Sequence, residues 1–130
     1  MPPCSVIPVL GYPDLPEAID WLSRAFGFAL RLRIADHRAQ LKMGDGCIVL
    51  TGRDPSEGAY SCSVMVRVEE VDLHHERALA FGARILSPRT NHVYGERQYT
   101  AEDFAGHVWT FSQSIADVNP EDWGATVGEL

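Results

Sequence analysis

The tripeptide Ala25-Phe26-Gly27 returns as Ala80-Phe81-Gly82, and both times it closes an amphipathic stretch and opens an alternating one. This constrains the fold more than any other feature, because it asks for two copies of one unit in a chain of 130 residues. In the first copy Ile19, Leu22 and Phe26 fall on one helical face, widened by Ala18, Trp21 and Ala25. Asp14 is placed to cap that helix, Pro16 and Glu17 suit its first turn, and Gly27 is the expected stop. "SVIPVLGY" before the helix reads as a short strand. After it, "ALRLRIA" alternates Leu30, Leu32 and Ile34 with Arg31 and Arg33, the pattern of a half-buried strand. A turn at 36–38, the strand "AQLKMG", the tight turn Gly44-Asp45-Gly46 and the strand "CIVLTG" complete the unit.

A polar connection, "RDPSEGAY", leads into a second series in the same order. "SCSVMVRVE" is rich in β-branched residues. "VDLHHERALAFGA" is a helix with Val71, His75, Ala78 and Gly82 on one face and Leu73 and Phe81 near its flanks. "RILSPRTNHV" reads as a strand broken at Ser87-Pro88, "ERQYTAED" as another, and "FAGHVWTFSQS" as a glycine turn and a last strand. Gly46 and Gly106 open the final strand of the two copies. The predicted fold is α+β: two tandem β-α-β-β-β modules, about 5–52 and 61–115, in a single domain spanning 1–130. The tail 116–130 has no clear period, and Trp123 within it is a candidate cover for the sheet.

The formal net charge of −7 and the absence of any Lys/Arg cluster exclude a nucleic-acid surface, and would suit a cationic small molecule. No apolar run reaches the roughly 18–20 residues of a membrane span, and the N-terminal stretch lacks the basic and apolar regions of a secretory signal. Cys4, Cys47 and Cys62 form neither a disulfide framework nor a zinc knuckle. The expectation is a cytoplasmic protein.

Three stretches carry a family resemblance: "LGYPDLPEAIDWLSRAFGF", "VDLHHERALAFGARIL" and "YGERQYTAEDFAGHVWTF". They resemble the vicinal oxygen chelate superfamily of glyoxalases, bleomycin resistance proteins and extradiol dioxygenases, over about residues 5–115. The third stretch, with Tyr94-Gly95-x-Arg97 and Asp103-x-x-Gly106-His107, is the most specific, although Phe104 replaces the proline usual in that turn. The tail is similar to the bleomycin-resistance-like branch. The resemblance implies a U-shaped mixed sheet with helices on its convex face and a cavity on its concave face. It also implies a homodimer, and, in the enzymes, a divalent metal held by His, Glu or Gln from the first and last strands of each module. Aligned here, those positions hold Ile7, Val49, Ser63 and Thr110. Ile and Val have no donor atom, and neutral hydroxyls are poor ligands, so no metal and no cofactor are expected.

Neighbouring His74 and His75 diverge by about 100° around a helix and cannot chelate together. With His37, His92 and His107 they read as exposed helix or turn residues, His107 being the strongest functional candidate. Arg67 shares the inferred cavity face with Ser63 and Met65, and Glu69 is its expected partner. Arg31 and Arg33 share a face and could line the cavity mouth. Trp109 and Phe111 face the helices if Thr110 faces the cavity. The reading is a protein that binds or sequesters a small molecule, such as an antibiotic or metabolite, in a cleft lined by Ile7, Val9, Val49, Ser63, Met65, Arg67 and Thr110, with Trp123 nearby. No catalytic residue is assigned. The alternative is a lyase, isomerase or epimerase on a small oxygenated substrate, using a metal held elsewhere or working without one through Arg67, His107 or Tyr99.

Overall fold

The computed structural model describes residues 7–52 and 63–123. The chain runs β1 (Val9–Tyr12), α1 (Leu15–Trp21) with a π-helical extension (Leu22–Phe26), β2 (Ala29–Ile34), β3 (Arg38–Met43) and β4 (Gly46–Gly52). The order then repeats as β5 (Ser63–Arg67), α2 (Val71–Ala80), β6 (Arg84–His92), β7 (Glu96–Glu102) and β8 (Val108–Ser114), before a 3₁₀ turn at Pro120–Trp123. The expected mixed sheet is built as two four-stranded sheets, ordered β1-β4-β3-β2 and β5-β8-β7-β6. In each, the first and last strands of the module pair in parallel and the remaining pairs are antiparallel.

The repeat has a conformational reason. Gly27 (φ 87°) and Gly82 (φ 89°) both take the left-handed conformation in which a helix end reverses toward a strand, and glycine enters it without a Cβ penalty. The two rings before them behave differently. Phe26 is fully buried, edge-on to Trp109 and Phe111, whereas Phe81 is 43% exposed. Burying Phe26 contributes about 1.5–3 kcal/mol; the second copy keeps the glycine but not the ring beneath it.

Each helix end is finished by the other helix. Arg77 donates to the carbonyls of Ser23 and Arg24, His74 Nε2 lies 2.8 Å from the Phe26 carbonyl, and Trp21 Nε1 donates to the Phe81 carbonyl at 2.9 Å. These carbonyls have no partner within their own helix, so the cross-caps satisfy groups that would otherwise be left to water. At the helix starts, Asp14 accepts from the Glu17 amide at 3.0 Å, as its sequence position suggests. No side chain of α2's own caps its start; the Val71 amide instead donates to Gln113 at the end of β8.

One core joins both modules on the helix side, where Tyr12, Leu15, Ala18, Leu22 and Phe26 meet Val71, Ala78, Tyr99, Trp109 and Phe111. Asp103 ties this seam. Its Oδ2 accepts from Tyr12 Oη (2.6 Å) and Trp109 Nε1 (3.0 Å), and its Oδ1 from the amides of Ala105 and His107 (3.0 Å each). The backbone bonds hold the turn without the family's proline. Phe104 stacks on Tyr12 and tilts against Trp21, so its side chain extends the aromatic cluster instead.

Two local expectations are corrected. β6 is not broken at Ser87-Pro88 but continues to His92, with register shifts on either side of Ser87. An edge strand tolerates this because half of its backbone groups need no ladder partner. A shift between Leu30 and Leu32 likewise separates Arg31 from Arg33: Arg31 hydrogen-bonds Gln40, whereas Arg33 stands opposite Ala39 and binds Asp36 at 2.6 Å. Among the described residues no helix is long and apolar enough to cross a membrane.

Candidate functional site

Period-two alternation divides each strand of the second sheet between the core and the opposite, open face. Val64, Val66, Trp109 and Phe111 turn toward the helices. Ser63, Met65 and Arg67 on β5 pair with Val108, Thr110 and Ser112 on β8 and share the open face. Gln98 and Thr100 of β7 pair with Ser112 and Thr110 on that face, and with Thr90 and Ser87 of β6 on the other side. A cavity of about 360 Å³ lies over them, lined by Met65, Thr90, His92, Gln98, Thr100 and Thr110 among others.

A chain of hydrogen bonds runs along one end of this face. Arg67 Nη1 donates to Glu96 Oε1 at 3.3 Å, and Ser112 Oγ donates to the same oxygen at 2.7 Å. Gln98 Nε2 donates to Ser112 Oγ at 3.0 Å, and Tyr94 Oη donates to Gln98 Oε1 at 3.1 Å. Thr100 and Thr110 share a bond at 3.0 Å. The partner of Arg67 is therefore Glu96 and not Glu69. β5 ends at Arg67, so the alternation that would bring Glu69 onto the same face stops two residues too early.

The other expected lining residues divide between two places. Val9, Ser63 and Met65 border a second, largely apolar cavity of about 490 Å³ where the edges of β1 and β5 approach. Val49 pairs with Val9, but is fully buried, and its amide donates to the Pro8 carbonyl at 2.9 Å. Ile7 is half-buried ahead of β1. Trp123 ends the 3₁₀ turn, and its side chain lies outside the described residues. Met65 is common to both cavities and is 63% exposed.

At the family's four ligand positions the donor set does not fit a divalent metal. Ile7 and Val49 offer hydrocarbon, Ser63 and Thr110 offer hydroxyls, and that of Thr110 is already bonded to Thr100. Among the described residues no three His, Cys, Asp or Glu side chains converge as a metal centre.

The histidines and Tyr99 have places that sequence patterning did not reveal. His75 is buried at 8% exposure, not on a solvated helix face. His74 bridges the modules: Nε2–H donates to Phe26, leaving Nδ1 to accept from Tyr99 Oη, which requires a neutral ring. Burial lowers the His74 pKa, the bond to Phe26 opposes that shift, and the charge of Arg77 adds to it. Burial pushes the Tyr99 phenol upward. His107 is also buried, with Nε2 at 2.8 Å from the Gly11 carbonyl. Tyr99 and His107 thus direct their polar atoms into the seam, while Arg67 stands on the open face. Glu96, Gln98 and Ser112 were the site residues missed. Their signal was alternation with Thr100 and Thr110, hidden by the assumed break at Pro88.

Two β-α-β-β-β units joined through their helices, with a cavity over the opposite face of the second sheet, define a paired-module fold. The chain belongs to the Glyoxalase/Bleomycin resistance protein/Dioxygenase superfamily, whose family model matches residues 7–111. Among solved structures it is similar to TioX from Micromonospora sp. ML1, at 33% identity and a TM-score of 0.72 over 86% of this chain and 99% of that one. It shares its fold with the fosfomycin resistance protein FosX from Listeria monocytogenes, at 18% identity and a TM-score of 0.71 over 87% and 94% of the two chains. A curated relative, the uncharacterized protein Rv0887c of Mycobacterium tuberculosis, is 28% identical over 67 residues. That match spans 52% of this chain and 39% of the relative.

Proposed function

We propose that this protein binds a small molecule, such as an antibiotic or metabolite, non-covalently over the open face of its second sheet, without a metal. The observation that carries the reading is the 360 Å³ cavity, whose lining of Met65, hydroxyls and the Gln98 amide offers apolar contact and hydrogen bonds but no donor set for a cation of the family's kind. Such a mixture of apolar surface with a few fixed polar groups is typical of ligand pockets. Pairing with a second copy belongs to the same proposal. Val9, Leu30 and Ile34, on the two edge strands of the first sheet, are each about half exposed, apolar side chains that a partner chain would cover.

The reading is tested on purified, untagged protein dialysed in turn against Zn, Ni, Mn and Fe, and then screened against a small-molecule library by amide NMR shifts. Expected are no retained metal and shifts centred on Met65, Thr100 and Thr110. Near-stoichiometric metal retention would overturn the metal-free part, and hits confined to the helix side would overturn the site.

A further inference from the structure

We infer that the ligand of this cavity is a planar ring bearing a positively charged nitrogen group, with Glu96 as its anchor; the inference rests on the binding reading above. Glu96 does not itself line the cavity but borders it: it pairs across the strands with His92 and lies two residues before Gln98 on β7, and both of these line it. Its two hydrogen bonds, from Arg67 and Ser112, converge on Oε1, and Oε2 has no partner among the described residues. The side chain is only 16% exposed. A carboxylate held at one oxygen by a neighbour's hydroxyl, with the other oxygen open to an incoming group, gains from a charged N–H donor.

The groups around it specify what carries that donor. His92 is the cross-strand partner of Glu96, so the two side chains start about 5 Å apart. The His92 ring lies flat against Tyr94, with centroids 5.0 Å apart and planes within 8°. His92 lines the cavity and brings an aromatic ring to it, and aromatic rings stack with other rings and attract cations. The cavity's 360 Å³ falls in the lower range for ligand pockets, which suits a body of one or two rings. The chain's net charge of −7 draws cations toward it.

Arg67 shows where the ligand's charge would go. Its guanidinium already occupies the cation position on Glu96, yet it is 69% exposed and reaches the carboxylate through one long contact. A single 3.3 Å contact from a side chain so exposed is readily exchanged. The incoming cation takes the open Oε2, and Arg67, carrying the same charge, turns out to solvent. An anionic ligand would instead use Arg67 as its anchor and would be repelled by Glu96, so the two charge signs make opposite predictions for the same two substitutions.

The test is an amide NMR titration of the full chain with benzamidine, benzamide and benzoate, repeated on Glu96→Gln and Arg67→Ala. Benzamidine is expected to bind most tightly of the three, with shifts at His92, Gln98 and Thr100. Glu96→Gln is expected to weaken it about 10-fold or more, the worth of a charge-assisted bond. Arg67→Ala is expected to tighten it up to about 5-fold by removing the competing cation. Because Glu96→Gln is nearly isosteric, an unchanged spectral dispersion separates a lost contact from a lost fold. Preferred binding of benzoate, abolished by Arg67→Ala, overturns the cation assignment and leaves the binding reading intact. So does benzamidine binding that ignores Glu96→Gln. Silence from all three probes overturns the inference as well, and the library screen then decides the binding reading by itself.

Discussion

Replacing Asp103 with asparagine tests the seam between the modules with almost no change in volume. One amide oxygen can keep the two backbone bonds to Ala105 and His107, which leaves the NH₂ group facing Tyr12 Oη and Trp109 Nε1. Tyr12 can rotate its hydroxyl to accept. An indole N–H cannot accept, so that of Trp109 is orphaned in a fully buried position. Orphaning a buried donor costs about 1–3 kcal/mol, and exchanging a charge-assisted bond to Tyr12 for a neutral one costs roughly 1 more. The expected loss is therefore about 2–4 kcal/mol, or a Tm lower by roughly 8–15 °C. Urea unfolding at fixed protein concentration measures it. The double-mutant cycle with Trp109→Phe isolates the bond, because the packing cost of losing the indole cancels and a coupling of about 1–2 kcal/mol remains. An Asp103→Asn protein within about 0.5 kcal/mol of the parent, or a coupling near zero, would refute the reasoning.

The His74 pKa lies below its ordinary value of 6.5 in the folded chain, so protonation favours the unfolded state. Its contribution is complete above pH 6.5 and is lost as pH falls from there toward the folded value. Urea midpoints from pH 7.5 down to about 5 should decline less steeply in His74→Gln than in the parent, and parallel curves would show that His74 does not titrate as described. Gly95 and Gly82 offer a matched comparison. Both have positive φ, but a Cβ at Gly95 would lie 2.2 Å from the Ala116 carbonyl oxygen, while one at Gly82 meets nothing within 4 Å. Gly82→Ala should cost about 1 kcal/mol from backbone strain and Gly95→Ala at least about 1 kcal/mol more, read from thermal melts. Equal losses would contradict the close approach at Ala116.

Local periodicity carried the sequence reading a long way. The strand and helix order, the Asp14 cap and the two glycine stops are all fixed within a few residues of chain, where 2.0 and 3.6 periods and turn chemistry act. The four family ligand positions could likewise be inspected from the resemblance alone. What escaped depends on partners far along the chain. Glu69 looked like the mate of Arg67 because it is near in sequence, whereas the actual mate arrives from β7. His74 looked like a surface residue because nothing local predicts that Phe26 and Tyr99 close over it. Pro88 looked like a strand break because an edge strand's tolerance of proline depends on which neighbours it lacks, and sheet order is not written in any single strand.

The exchange of caps between the two helices has a consequence for the ancestry the repeat suggests. A unit able to stand by itself would close its own helix end, yet here the carbonyls of Ser23, Arg24 and Phe26 await side chains from the other half, and that of Phe81 awaits Trp21. The two copies divide the labour, one supplying most of the donors and the other most of the acceptors. The two halves are finished together: loosening one copy would leave the helix-end carbonyls of its twin to water.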